Sequence, residues 1–210
     1  MNLWKRISIL VAIGSLVASG LMLNYVLKPF APVSDCSIEL TGELSEAMLF
    51  YVRNIVRQSG DCAFLNVEIF SPGGSVALAV EISQELRRAK TSGLIVRTVG
   101  RSFVASGATL LLSAGSLGHR YISENSLVLV HGIQTQTSVF GPMKCVDRDL
   151  ESTSEDGKLL NQAILLVAVE YSINTGKPLA KTLGWLACDN SQVGNGKLAI
   201  KLGLADKLSK

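Results

Sequence analysis

The sequence predicts an α/β fold with mainly parallel strand pairing. From residue 36 onward, short apolar runs alternate with segments of helical spacing, and Gly- and Pro-containing turns punctuate the joins. About 180 residues follow the N-terminal stretch, enough for one domain with a core of its own.

Taken in order, Ser37 to Leu40 predicts a first strand, stopped by the Thr41-Gly42 turn. Ser45 to Gln58 places Met48, Leu49, Val52, Ile55 and Val56 at helical spacing and ends at Gly60. Phe64 to Phe70 alternates as a strand does, until Ser71-Pro72-Gly73-Gly74 breaks it. Val76 to Ala89 is amphipathic, with Val76, Val80, Ile82 and Leu86 on one side and Gln84, Glu85, Arg87 and Arg88 on the other. Leu94 to Val99 predicts the next strand. Ala105 to Ser113 is small and apolar all round, the pattern of a buried helix. Tyr121-Ile122 and Leu127 to Val130 predict short strands. Thr135 to Ser154 reads as a polar, irregular excursion, Leu159 to Ile173 as a helix, and Leu198 to Leu202 as a last helix before Gly203-Leu204.

Ahead of this domain, Ile7 to Val26 runs twenty residues without a charge, preceded by Lys5 and Arg6. That run matches the roughly 20 residues needed to span a bilayer core and exceeds the roughly 7–15 of a cleaved signal. The expected organisation is a cytoplasmic N-terminus and transmembrane signal anchor over 1–28, a Pro-containing linker over 29–35, and the folded domain over 36–210. The positive-inside bias puts the domain outside the cytoplasm, in the periplasm if the source is Gram-negative. The positive mean hydropathy owes part of its value to this stretch.

All four cysteines, Cys36, Cys62, Cys145 and Cys188, follow the expected anchor, so an oxidising compartment would allow two disulfides. Three pairings are open, with sequence neighbourhood leaning to Cys36–Cys62 and Cys145–Cys188. No C-x-x-C pair occurs, which argues against a zinc site. The net charge of +3, with no basic stripe interleaved with aromatics, argues against nucleic acid as a partner.

Several residues stand where chemistry would need them. Ser71-Pro72-Gly73-Gly74 joins a strand to a helix, and its glycines could present amide N–H groups to an oxyanion or simply form a turn. Ser106 opens the buried helix as either a nucleophile or an N-cap. His131 ends the Leu127 to Val130 strand, at the sheet edge where α/β active sites form, and is either a general base or a structural residue. Asp147 and Asp149 belong to a charged run read as solvated, Asp206 to a terminal turn, and Asp189 follows Cys188. Asp156 is a further carboxylate.

Together these pieces resemble the Clp protease proteolytic subunit and its membrane-bound relatives in the Clp/crotonase group, over about Leu65 to Leu208. Ser71-Pro72-Gly73-Gly74 resembles the family's S-P-G-G strand. Ala105-Ser106-Gly107-Ala108 resembles its nucleophile helix, with the glycine shifted by one. Asn125 to His131 is similar to its histidine strand, and 25 residues separate Ser106 from His131 as in the family pattern. Thr175-Gly176, with Asp189 13 residues beyond the glycine, is similar to its T-G and catalytic aspartate, and Gly203-Leu204-Ala205-Asp206 to its closing motif. The segment between Gly74 and Ser106 is longer than the pattern, Asp189 lacks the surrounding acidic and arginine-rich run, and extra residues precede Leu198.

The resemblance implies a spiral of ββα units and a serine-type endopeptidase with no cofactor. It implies a Ser106–His131–Asp189 triad, with Gly73 and Gly107 as oxyanion-hole donors. Ala105-Ser106-Gly107 also resembles signal peptide peptidase A, a Ser/Lys-dyad relative, which would make Lys144 or Lys158 the base; Lys158 lies 52 residues after Ser106. A non-catalytic peptide-binding scaffold is a third reading. An acyl-CoA enzyme of the crotonase type lacks a carboxylate near either glycine-rich element. The expected partners are a protein or peptide substrate and the membrane through residues 7–26, with self-association left open. The expected topology argues against an ATP-driven unfoldase.

Overall fold

A computed structural model describes residues 35–136, 142–149 and 153–209. The expected anchor and nearly all of the linker lie outside the described residues. Among those described, no helix is long and apolar enough to cross a membrane.

The α/β expectation holds. Strand β1 (Cys36–Thr41), helix α1 (Glu46–Gln58), β2 (Phe64–Ser71), α2 (Val76–Thr91) and β3 (Ile95–Ala105) alternate, and β1, β2 and β3 pair in parallel. The buried helix α3 (Gly107–Ser113), β4 (Arg120–Ser123) and β5 (Leu127–Val130) follow. A hairpin of β6 (Gln134–Gln136) and β7 (Met143–Cys145) leads to α4 (Glu155–Thr175), α5 (Leu179–Trp185), β8 (Gln192–Gly194), α6 (Gly196–Leu202) and β9 (Lys207–Ser209).

Strand β3 is the pivot of the seven-stranded sheet. Its first half pairs with β4 (Thr98 to Gly100 beside Arg120 to Ile122), and its last residues pair with β5 (Phe103 to Ala105 beside Leu127 to Leu129), all in parallel. Between the halves, the register to β2 shifts and Ser102 takes φ +43°. A bulge of this kind bends a strand and re-aims it. One strand therefore serves two neighbours, and its end delivers Ala105 to the side of β5. The sequence-based strand, Leu94 to Val99, accordingly stops six residues short. Strand β9 extends the sheet beyond β4, and β8 pairs antiparallel with β5.

The core lies between one sheet face and helices α1, α2 and α3. Ile38, Leu40, Leu65, Val67, Ile69 and Val96 meet Leu49, Val52, Ile82, Leu86, Leu110, Leu111 and Leu112, all buried. Helix α3 is buried at every residue from Ala108 to Ser113, as its apolar composition predicts. The Ser45 hydroxyl caps α1 by accepting from Met48 N at 3.3 Å. Helix α4 runs past both ends of its expected span, capped by Ser154, which accepts from Gly157 N at 3.1 Å, and closed by Gly176 at φ +68°.

Two polar clamps hold the periphery. Buried Glu170 of α4 accepts both Arg87 Nη1 and Nη2 of α2 at 2.8 Å, a bidentate pair. Arg120, 3% exposed, donates to Asp206 through Nε at 3.0 Å and Nη2 at 2.6 Å, and to the Asn174 and Gly203 carbonyls. Burial alone would raise the Asp206 carboxyl, but the hydrogen bonds and charge of Arg120 hold it below its ordinary value. Asp206, read from sequence as a terminal turn, is thus the lock between β4 and β9.

Both cysteine pairs favoured by sequence neighbourhood are joined, Cys36–Cys62 and Cys145–Cys188. The 135–154 excursion carries the β6/β7 hairpin among its described residues, a correction to its reading as irregular.

Candidate active site

Ser106 stands between the end of β3 and the start of α3. Its backbone has φ +53° and ψ −130°. A non-glycine residue held there costs of order 1–3 kcal/mol and persists only where its surroundings impose it. Here they do. Ser106 N donates to the Leu129 carbonyl of β5 at 2.8 Å, and the Ser106 carbonyl accepts from Thr109 N at 3.0 Å and Thr109 Oγ1 at 2.6 Å. The Ala105–Leu129 pairing brings the serine alongside the last residues of β5, immediately before His131. Ser106 occupies the N-cap position, yet its hydroxyl makes no capping bond. The strained turn presents that hydroxyl to a cleft of about 500 Å³.

The glycines explain how the cleft comes so close to the serine. Gly73 has φ +95°, and a Cβ built there would lie 2.7 Å from Ser106 Cβ and 2.8 Å from Gly107 N. A Cβ on Gly107 would meet that of Ala79 at 2.8 Å. Ser106, Gly73 and Gly107 therefore pack backbone against backbone, and all three line the cleft. In this structure Gly73 N donates to Ser71 Oγ at 3.1 Å.

His131, half-buried, lines the same cleft. Its Nδ1 lies 2.6 Å from the Gly132 carbonyl oxygen. A carbonyl can only accept, so this bond takes a proton on Nδ1, and in the neutral ring Nε2 then carries the lone pair that a general base needs. Tyr171 of α4 also lines the cleft. Burial pushes its phenol up to about 12, against the opposing hydrogen bond with Thr109, so it stays neutral and cannot act as a base near pH 7. Its Oη meets Thr109 Oγ1 at 2.6 Å, which ties α4 to the first turn of α3, next to Ser106. Leu110, Ile133, Val167 and Leu186 make the deeper wall apolar.

The structure thus brings Ser106, His131, Gly73 and Gly107 together. Asp189 is exposed on the turn after Cys188 and does not line the cleft, where Glu43 is the carboxylate present among the described residues. Neither Lys144 nor Lys158 lines it. Lys144 is exposed in β7, and Lys158 pairs with exposed Glu155 at 2.8 Å. Sequence reasoning missed Tyr171 and Leu186, whose approach depends on how α4 and α5 fold back. Asp147, read as solvated, is exposed, and its Oδ1 accepts from Cys188 N at 2.9 Å. Among the described residues, no cluster of side chains could hold a metal.

Residues 52–210 match the family model described as Clp protease. The chain is 36% identical over 106 residues to an ATP-dependent Clp protease proteolytic subunit 1 of Leifsonia xyli subsp. xyli, covering 45% of this chain and 51% of that protein. It is 29% identical over 150 residues to an ATP-dependent Clp protease proteolytic subunit of Dehalococcoides mccartyi, covering 69% and 65%. The chain therefore spans between half and two-thirds of the length of these curated relatives. The fold is similar to the ClpP protease catalytic domain of Plasmodium falciparum, with a TM-score of 0.63, 18% identity, and coverage of 83% and 84% of the two chains. With a family model matched across most of its length, the chain belongs to the Clp protease family.

Proposed function

We propose that the chain is a serine-type endopeptidase in which Ser106 attacks the carbonyl of a peptide bond and His131 serves as its base. The observation that carries this reading is the shared cleft: a strained serine, a histidine whose Nδ1 meets the Gly132 carbonyl, and two glycines packed against the serine. His131 takes the Ser106 Oγ proton as the Oγ–carbon bond forms, then delivers it to the leaving amine. Gly107 N–H and Gly73 N–H are the proposed oxyanion donors, and Gly73 must turn from Ser71 to serve. Loss of one such donor costs about 2.7–4 kcal/mol of barrier.

Asp189 is the proposed third member on the strength of its sequence spacing; the cleft geometry supports the Ser106–His131 pair. Replacement decides the matter. A fall of about 10⁴ in kcat for Asp189→Asn would make it the orienting acid, as that change does in a working triad. An unchanged rate would leave the imidazole to the Gly132 carbonyl. The Ser/Lys alternative is tested by labelling with a fluorophosphonate: His131→Ala suppresses it in the proposed mechanism, whereas suppression by Lys158→Ala or Lys144→Ala alone would favour the dyad.

The location proposed is extracytoplasmic, on a single membrane span over residues 7–26. Its support is the uncharged run there, together with four cysteines all paired beyond it. The proposed substrates are accessible or unfolded protein segments near that membrane. Carbonate extraction of cell membranes tests the span: full release of the chain into the soluble fraction would exclude it.

A further inference from the structure

The bond Cys145–Cys188 lies directly behind the base. Gly132 follows His131, and a Cβ built on Gly132 would meet Cys145 Sγ at 2.7 Å and the Leu186 carbonyl oxygen at 2.5 Å. The residue whose carbonyl holds His131 Nδ1 is therefore wedged between the disulfide and the 186–188 turn. Two hydrogen bonds flank the wedge. Cys188 N donates to Asp147 Oδ1 at 2.9 Å, and Val146 N donates to the Ile133 carbonyl at 2.9 Å.

The described strands of the hairpin that carries Cys145 are short and lie at the surface. Strands β6 and β7 are three residues each, and none of the six is buried. A two-stranded hairpin of this kind is marginal by itself. Yet Gln134 and Met143 form a wall of the cleft. The other disulfide, Cys36–Cys62, joins the start of β1 to the segment before β2, and neither cysteine lines the cleft.

We propose that the Cys145–Cys188 disulfide is a positioning bond for His131: it pins Gly132 and the β6/β7 wall so that the imidazole faces Ser106. The proposal rests on the Ser106–His131 reading above. Cys145 is exposed, so a dithiol can reach it. Reduction passes two electrons and two protons from the dithiol to the bond. The S–S bond breaks, two cysteine thiols form, and the dithiol closes to its own disulfide.

The test uses the full chain and the rate constant for labelling by a fluorophosphonate across pH 5–9. In Cys145→Ser/Cys188→Ser, labelling at pH 7.5 falls at least tenfold, and by no more than the 10²–10⁴ that a positioned base supplies. Its rise through the imidazole range flattens, while thermal unfolding stays cooperative. Reduced wild-type protein behaves the same way and recovers on reoxidation. Cys36→Ser/Cys62→Ser keeps the wild-type rate within twofold.

Unchanged labelling in the Cys145/Cys188 variant and in reduced protein would overturn the proposal. So would an equal loss in both double variants, or loss of cooperative unfolding in both the Cys145/Cys188 variant and reduced protein, which would mark the bond as a general brace. Failure of the parent reading looks different, because oxidised wild-type protein would then not label at Ser106, or would label at a rate that His131→Ala leaves unchanged.

Discussion

Gly73 offers a sharp test, because Gly93 provides a matched control in the same chain. The two have nearly the same φ, +95° and +96°, but a Cβ at Gly93 meets nothing within 4 Å. Replacing either with alanine carries the cost of a side chain at positive φ, of order 1–3 kcal/mol. For a domain of this size that lowers Tm by roughly 2–4 °C per kcal/mol. Gly73→Ala must do more. Its Cβ would sit 2.7 Å from Ser106 Cβ, 2.8 Å from the Ala105 carbonyl oxygen and 2.8 Å from Gly107 N. Carbon atoms in contact rest about 3.5–4.0 Å apart, so the two walls of the cleft must separate by about 1 Å. A 1 Å misplacement at a reacting centre can cost about 10²-fold in rate. Stopped-flow labelling with a fluorophosphonate, normalised to folded protein by circular dichroism, should show that loss for Gly73→Ala and less than twofold for Gly93→Ala. Equal rates for the two variants would refute the packing of Gly73 on Ser106.

Three further outcomes follow from the described contacts. Asp206→Asn leaves the buried Arg120 charge uncompensated and should cost about 3–5 kcal/mol in chemical denaturation, with labelling per folded molecule unchanged. Because the Asp206 carboxyl sits below its unfolded value, its contribution is complete above the unfolded carboxylate range, near pH 4, and is lost as pH falls through the folded value; in Asp206→Asn that part of the acid limb of the stability curve disappears. Thr109→Val strands the buried Tyr171 hydroxyl and should destabilise the chain by about 1–3 kcal/mol, read as a lower denaturation midpoint at unchanged slope.

Legibility from sequence followed the range of the interactions involved. Helix α3 was readable because its burial is written in its own composition, and β1, α1, β2 and α2 because their periods are local. The halves of β3 were not, since the bulge at Ser102 responds to two different neighbours, β4 and β5. Leu179–Trp185, flanked by Pro178 and interrupted by Gly184, has no period long enough to register as helix α5, and three-residue strands such as β8 and β9 exist only by pairing. In the cleft, Ser106, His131, Gly73 and Gly107 were legible as motifs in a fixed order. Their meaning still depended on Ser106 lying beside β5. Asp206 went unread as a lock because its partner is Arg120, 86 residues away.

The account turns on Ser106 as an activated nucleophile, and the direct measurement is the site of covalent modification. Full-length protein treated with a fluorophosphonate at pH 7.5, digested and mapped by tandem mass spectrometry should carry the phosphonyl group on Ser106, with His131→Ala reducing occupancy by about 10²–10⁴ in rate. An adduct on any other residue, or no adduct on oxidised and folded protein, would contradict it.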